Sequence, residues 1–156
     1  MASTPEHQVE FGFLDEHIGF QIHLSRRAIW HSIRSRHRLD GGKLPSGYRT
    51  ALTVIGLNPG IAPKRLAASL YLDPQATASI LDRLEQDGFA IRQRSSTDKR
   101  RVELYLSDKG QAELDWIKAR SDEQEAHLSR NLSTEERALL VEMLIRLRVG
   151  LEAPQD

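Results

Sequence analysis

Apolar positions recur along the chain at two different periods. Between Leu14 and about Arg38 there is no proline, and Leu14, Ile18, Ile22, Ile29 and Ile33 return at helical spacing, which predicts one long amphipathic helix. Asp40-Gly41-Gly42-Lys43-Leu44-Pro45 reads as a loop. Ser46 is expected to cap a second helix that carries Leu52, Ile55 and Leu57 inward and stops at Asn58-Pro59-Gly60. Two short helices follow. Pro63 suits the first turn of one that reaches about Tyr71. Asp73 as N-cap and Pro74 as first residue open the next, which runs to about Asp87 and ends on Gly88. The Leu72-Asp73 link between them allows only a sharp turn.

After Gly88 the period falls to two. Phe89–Arg94 and Arg101–Leu106 alternate around the polar stretch Ser95-Ser96-Thr97-Asp98-Lys99-Arg100, which predicts a β-hairpin with a charged tip. Ser107 is expected to cap a long helix from about Asp108 to Arg130. A capping box, Ser133 with Glu136, opens a last helix whose stripe is Leu140, Met143, Leu144, Leu147 and Leu151. The order helix, turn, helix, hairpin is that of a winged helix-turn-helix. The predicted fold is mainly α with a small β-wing, flanked by long dimerisation helices. The expected divisions are a flexible start (1–13), an N-terminal dimerisation helix and loop (14–44), a DNA-binding lobe (45–106), C-terminal dimerisation helices (107–152) and a flexible tail (153–156).

The net charge of zero, 22 basic against 22 acidic residues, argues taken alone against a nucleic-acid partner. Its distribution argues for one. Residues 1–25 hold four acids and no Lys or Arg; residues 26–109 hold 16 basic and 8 acidic side chains, a net of +8; residues 110–156 hold 6 and 10, a net of −4. A basic middle between acidic ends suits a polyanion-binding face on a separate scaffold. The absence of cysteine removes disulfides, thiolate metal sites and thiol chemistry. No apolar run approaches a membrane span and the N-terminus lacks a signal-peptide pattern, so a cytoplasmic protein with no membrane partner is expected. HExxH, GxSxG and Walker patterns are absent, and no enzyme activity or cofactor is expected.

Three stretches carry a family resemblance. They are Leu81-Asp82-Arg83-Leu84-Glu85-Gln86-Asp87-Gly88-Phe89, the tip Asp98-Lys99-Arg100-Arg101, and Leu106-Ser107-Asp108-Lys109-Gly110. In this order and spacing the chain resembles the MarR family of bacterial transcriptional regulators over roughly Leu14 to Leu151. Leu132–Arg137 also resembles that family's start of the last helix. The resemblance implies a homodimer on a pseudo-palindromic double-stranded DNA operator, most often as a repressor. Where the family's recognition helix often carries Ser-Thr-Val-Thr-Arg, this chain has Gln75-Ala76-Thr77-Ala78-Ser79, so fewer long side chains reach base edges.

The expected DNA contacts follow. Gln75 suits adenine, Ala76 and Ala78 suit a thymine methyl, and Ser79 suits phosphate or sugar. Lys64 and Pro74 belong to the same contact set. Thr77, Ile80, Leu81 and Leu84 face the core instead. In the hairpin, Arg94 and Lys99 are assigned to phosphates. The resemblance makes Arg100 the side chain that enters a minor groove, and Asp98 the one that orients a neighbouring arginine.

The resemblance also implies a small-molecule effector, an anionic aromatic compound or its aryl-CoA thioester. The residues assigned to it are His23, Arg26, Arg27, Trp30 and Arg34 of the first helix, with Tyr48 and Arg49 of the second: aromatic rings beside guanidinium groups. His17 and His31, like His23 and His37, are 14 residues apart, about 21 Å along a helix, so neither pair shares a metal ion. No metal site is assigned. The alternatives are a winged-helix protein-interaction module and a metal-responsive regulator of the same fold.

Overall fold

The structure is a computed structural model that describes residues 9–36 and 47–152. The chain divides into two compact units, Met1–Lys43 and Leu44–Asp156.

In the first unit the long helix is broken. A 3-10 turn spans Gly12–Glu16, His17 is extended (φ −87°, ψ 119°), and helix α1 runs over Ile18–Arg36. This corrects the expectation of one continuous helix from Leu14. The reason lies in contacts that periodicity does not see. Gly12 takes a left-handed φ of +57°, the Phe11 and Phe20 rings meet at 5.1 Å, and the Gln21 amide donates to the Asp15 carbonyl at 2.8 Å. His37 and the expected loop at 40–45 lie outside the described residues, as do residues 153–156.

The second unit contains α2 (Tyr48–Leu57), α3 (Pro63–Ser69), α4 (Pro74–Gln86), strands β1 (Ala90–Arg94) and β2 (Val102–Leu106), α5 (Asp108–Leu128) and α6 (Thr134–Glu152). Ser46 lies outside the described residues, and the N-cap of α2 is Gly47. The strands pair antiparallel from Ala90↔Leu106 to Arg94↔Val102. Ile61 adds a single bridge to Leu104, which ties the loop before α3 to the hairpin. Gly60 makes that approach possible: its φ is +83°, and a Cβ there would sit 3.1 Å from the Tyr105 hydroxyl.

The core draws on every element of this unit except α6. Ala51, Leu52 and Ile55 of α2, Leu66 of α3, Ile80, Leu81 and Leu84 of α4, Leu104 of β2 and Leu114 of α5 are buried together. On α4 the buried set Thr77, Ile80, Leu81 and Leu84 follows i, i+3, i+4, i+7. That leaves Gln75, Ala78 and Ser79 exposed. Both expected caps downstream are in place. Ser107 accepts from the Gly110 amide at 3.0 Å, and the Ser133–Glu136 box closes reciprocally at 2.7 and 3.1 Å. Helix α6 has no buried residue; Leu139, Leu140, Met143, Leu144, Val149 and Leu151 are exposed.

Candidate nucleic-acid interface

Helix α4 is fixed at both ends. The Asp73 carboxylate accepts from the Ala76 amide at 2.7 Å, and the Thr77 hydroxyl donates to the Asp73 carbonyl at 2.8 Å. With Pro74 in the first turn, the helix start is pre-set in φ and satisfied in hydrogen bonds. At the far end Asp87 receives the Tyr48 hydroxyl at 2.8 Å and the Arg83 Nε at 2.9 Å. Lys109 of α5 donates to the Asp87 carbonyl while lying over the Phe89 ring. The Tyr48 hydroxyl bond, then Arg83, holds the Asp87 carboxyl below the usual range. Burial, then Asp87, pushes the Tyr48 ionisation upward. The recognition helix is thus bolted to α2 and α5 at its C-terminus and left bare at its N-terminal half.

The wing has its own bracing. The Asp98 carboxylate accepts the Arg100 amide at 3.0 Å, and its carbonyl accepts the Arg101 amide at 2.8 Å. Asp98 also lies 3.9 Å from the Arg101 guanidinium. Arg94, assigned to phosphate, spends one donor on the Lys99 carbonyl at 2.8 Å. It therefore stiffens the tip from below while staying exposed. Ser95 is buried beneath the tip and shares a hydrogen bond with Thr97 at 3.1 Å. Hydrogen bonds from Ser95 and Tyr105 keep Glu103 below the ordinary carboxylate range. Lys99, Arg100 and Arg101 all stay exposed.

One residue of this assembly is not among the sequence assignments. Arg92 on β1 reaches Asp82 at 2.7 Å and Glu85 at 3.1 Å, both on α4. It fixes the wing against the recognition helix, and its charge is neutralised there. The only trace in the sequence is opposite charge on either side of Gly88, which no spacing rule singles out. On α3, Lys64 is exposed at the second helical position, with Arg65 beside it.

The residues assigned to an effector divide. His23, Arg26, Arg27 and Trp30 are exposed along α1, and Arg34 lies outside the residues whose side chains are described. Tyr48 is corrected: it is buried at 3% exposure with its hydroxyl held by Asp87, so it presents no free polar group to a ligand. Arg49 lies 5.5 Å over the Trp116 ring, which Arg120 also covers at 4.1 Å. Trp116 was not singled out in the sequence, though its i, i+4 spacing to Arg120 is a legible signal. Among the described residues no three His, Asp or Glu side chains converge as metal ligands, and no helix is long and apolar enough to cross a membrane.

Comparison with known proteins agrees with this geometry. The MarR family profile matches residues 50–102, which span α2 to the start of β2. A putative transcriptional regulatory protein for the hcr operon of Thauera aromatica is 29% identical over 146 residues, covering 93% of this chain and 87% of that protein. The HTH-type transcriptional regulator BilQ of Clostridium symbiosum is 32% identical over 99 residues, 64% of this chain and 69% of its own length. The transcriptional repressor CouR, solved on a 23-mer DNA duplex, superposes with a TM-score of 0.78 at 26% identity, over 90% of this chain and 99% of that one. A capped helix with a bare N-terminal face, a braced cationic wing and these relatives converge on one assignment: the chain belongs to the MarR family and is a DNA-binding, winged-helix transcriptional regulator.

Proposed function

We propose that the protein is a cytoplasmic repressor that binds a pseudo-palindromic operator as a homodimer and is released from it by an anionic aromatic compound or its CoA thioester. The observation that carries the DNA reading is the exposed N-terminal half of α4 standing beside a braced cationic wing. Gln75, Ala76 and Ala78 read the major groove, Ser79 meets phosphate or sugar, Lys64, Lys99 and Arg94 hold phosphates, and Arg100 enters the flanking minor groove. Dyad-related copies of α4 then meet successive major grooves about one helical turn apart. Repression is the direction supported by CouR, described as a repressor and seen on DNA.

Arg100→Ala is expected to weaken binding to DNA from the region upstream of the coding sequence by about 1–3 kcal/mol and to lower the salt slope. Titrations at several salt concentrations measure both. Affinity and slope equal to those of the parent protein would refute the wing assignment.

The effector reading rests on one face of α1, where His23, Arg26, Arg27 and Trp30 fall at i, i+3, i+4 and i+7. Guanidinium groups beside an indole suit an aromatic carboxylate or a phosphorylated thioester tail. Such a ligand releases DNA only by binding the non-DNA-competent dimer more tightly, since equal affinity for both states shifts nothing. A panel of aromatic acids and their CoA thioesters is expected to contain a compound that dissociates the operator complex. Arg26→Ala and Trp30→Ala are expected to blunt that release while sparing DNA affinity. An intact complex across the whole panel, or loss of DNA binding in both variants, would defeat this part.

A further inference from the structure

Among the described residues, Tyr71 is the one non-glycine with a left-handed backbone, at φ +52°. It forms the corner between α3 and α4. The Leu72 amide turns back to the Ala67 carbonyl at 3.0 Å, and Leu70 and Leu72 on either side pack against the core. The corner therefore requires the left-handed conformation, for which glycine is the unstrained choice. A side chain with a Cβ is strained there, and such strain persists where the side chain itself is needed. Packing does not need this one. Tyr71 is 63% exposed, and its ring and hydroxyl make no hydrogen bond, ion pair or ring contact with another described residue.

Its position suggests the use. Tyr71 lies three residues before Pro74, so their Cα atoms are at most about 11 Å apart. Leu70, Leu72, Ala76 and Ser79 line one depression of about 510 Å³, so the corner and the exposed face of α4 adjoin. A helix seated in a major groove about 12 Å wide has a phosphate strand bordering it on either side. We propose that Tyr71 is a DNA-backbone contact, its hydroxyl donating to a phosphate oxygen of the strand that borders the groove entered by α4. This rests on α4 being the reading helix. A neutral donor to a phosphate adds affinity without sequence preference. It also releases no counterion, which separates it from the wing cations.

The test compares the parent protein, Tyr71→Phe and Tyr71→Gly on two duplexes of equal length: the DNA immediately upstream of its own coding sequence, and a random sequence. Both variants are expected to bind both duplexes about tenfold more weakly, the scale of a hydrogen bond to a charged group, with the salt slope unchanged. Tyr71→Gly is expected to keep or raise the urea midpoint, because it removes the strain. Tyr71→Phe binding like the parent overturns the proposal, as does a loss confined to one duplex or a fall in the Tyr71→Gly midpoint. A change in release by aromatic acids with DNA affinity intact makes Tyr71 an effector contact and equally overturns it. Arg100→Ala, run alongside, separates the two levels. Weakening by Arg100→Ala alone defeats only the Tyr71 contact, whereas parental binding by all three variants defeats the reading of α4 and the wing.

Discussion

Replacing Gly110 with alanine is expected to destabilise the DNA-binding lobe by about 3 kcal/mol or more, against a general preference that points the other way. In a helix interior alanine is favoured over glycine by about 1 kcal/mol, and Gly110 sits in the first turn of α5. Its surroundings reverse the sign. A Cβ at Gly110 would lie 2.0 Å from the Phe89 carbonyl oxygen and 2.9 Å from its carbon. These are backbone atoms just before β1, and the same carbonyl accepts the Ser107 amide at 3.0 Å. Relief requires moving α5 off the hairpin, which would also strain the Ser107 hydroxyl bond to Gly88 and the Lys109 bond to Asp87. Overpacking of this kind typically costs about 1–3 kcal/mol, and more where no flexible side chain absorbs it. Urea unfolding of Gly110→Ala measures the outcome. Gly56→Ala provides the graded comparison, because its Cβ would meet only the side-chain ends of Leu114 and Leu106 at 2.5 and 2.7 Å. A smaller loss is expected there. Parental stability for Gly110→Ala would contradict the close approach of α5 to the wing.

The second large effect is expected from Leu140→Glu combined with Leu144→Glu on α6. Both leucines are exposed, at 42% and 43%, and lie one helical turn apart on a stripe with Met143 and Leu151. No residue of this 19-residue helix is buried within the chain. An apolar stripe of that length is covered in the proposed dimer, where each leucine, with under half of its surface left to cover, contributes about 1 kcal/mol of further burial. Two carboxylates in its place lose that burial and oppose association by desolvation. Sedimentation is expected to show a dimer for the parent at micromolar concentration and a monomer for the double variant. Operator affinity should fall by about a hundredfold or more, since one recognition helix loses the effective concentration that its tethered twin supplies. A parent protein that sediments as a monomer, or a double variant that remains a dimer with parental affinity, would remove the homodimer from the proposed function.

How much of this was legible in advance differs by element. Asp73, Ser107 and Ser133 were readable as caps because each acts on an amide two or three residues away, a contact that chain connectivity guarantees. The buried face of α4 was readable because Thr77, Ile80, Leu81 and Leu84 repeat at 3.6 residues per turn. The hairpin was readable from its period of two on both sides of a polar tip. The break at His17 was not, since the apolar stripe from Leu14 to Ile22 continues through it. What breaks the helix is a left-handed Gly12 and a Phe11–Phe20 ring contact between residues nine apart.

Charge followed the same division. The sequence by itself determined that cations gather on the hairpin, that a winged helix-turn-helix lies in the middle of the chain, and that the first turn of the recognition helix is capped. It did so because these features depend on composition and on neighbours within one turn. Only the tertiary structure decided which cations are available. Arg92 is consumed by Asp82 and Glu85, and Arg94 gives a donor to the tip it supports, while Lys99 and Arg100 stay exposed. The tertiary structure likewise moved Tyr48 into the core against Asp87, 39 residues away, and stood Tyr71 out on the surface in a strained corner. Both are tyrosines next to a turn. Their opposite fates follow from what packs around them once distant segments meet, which no local period encodes.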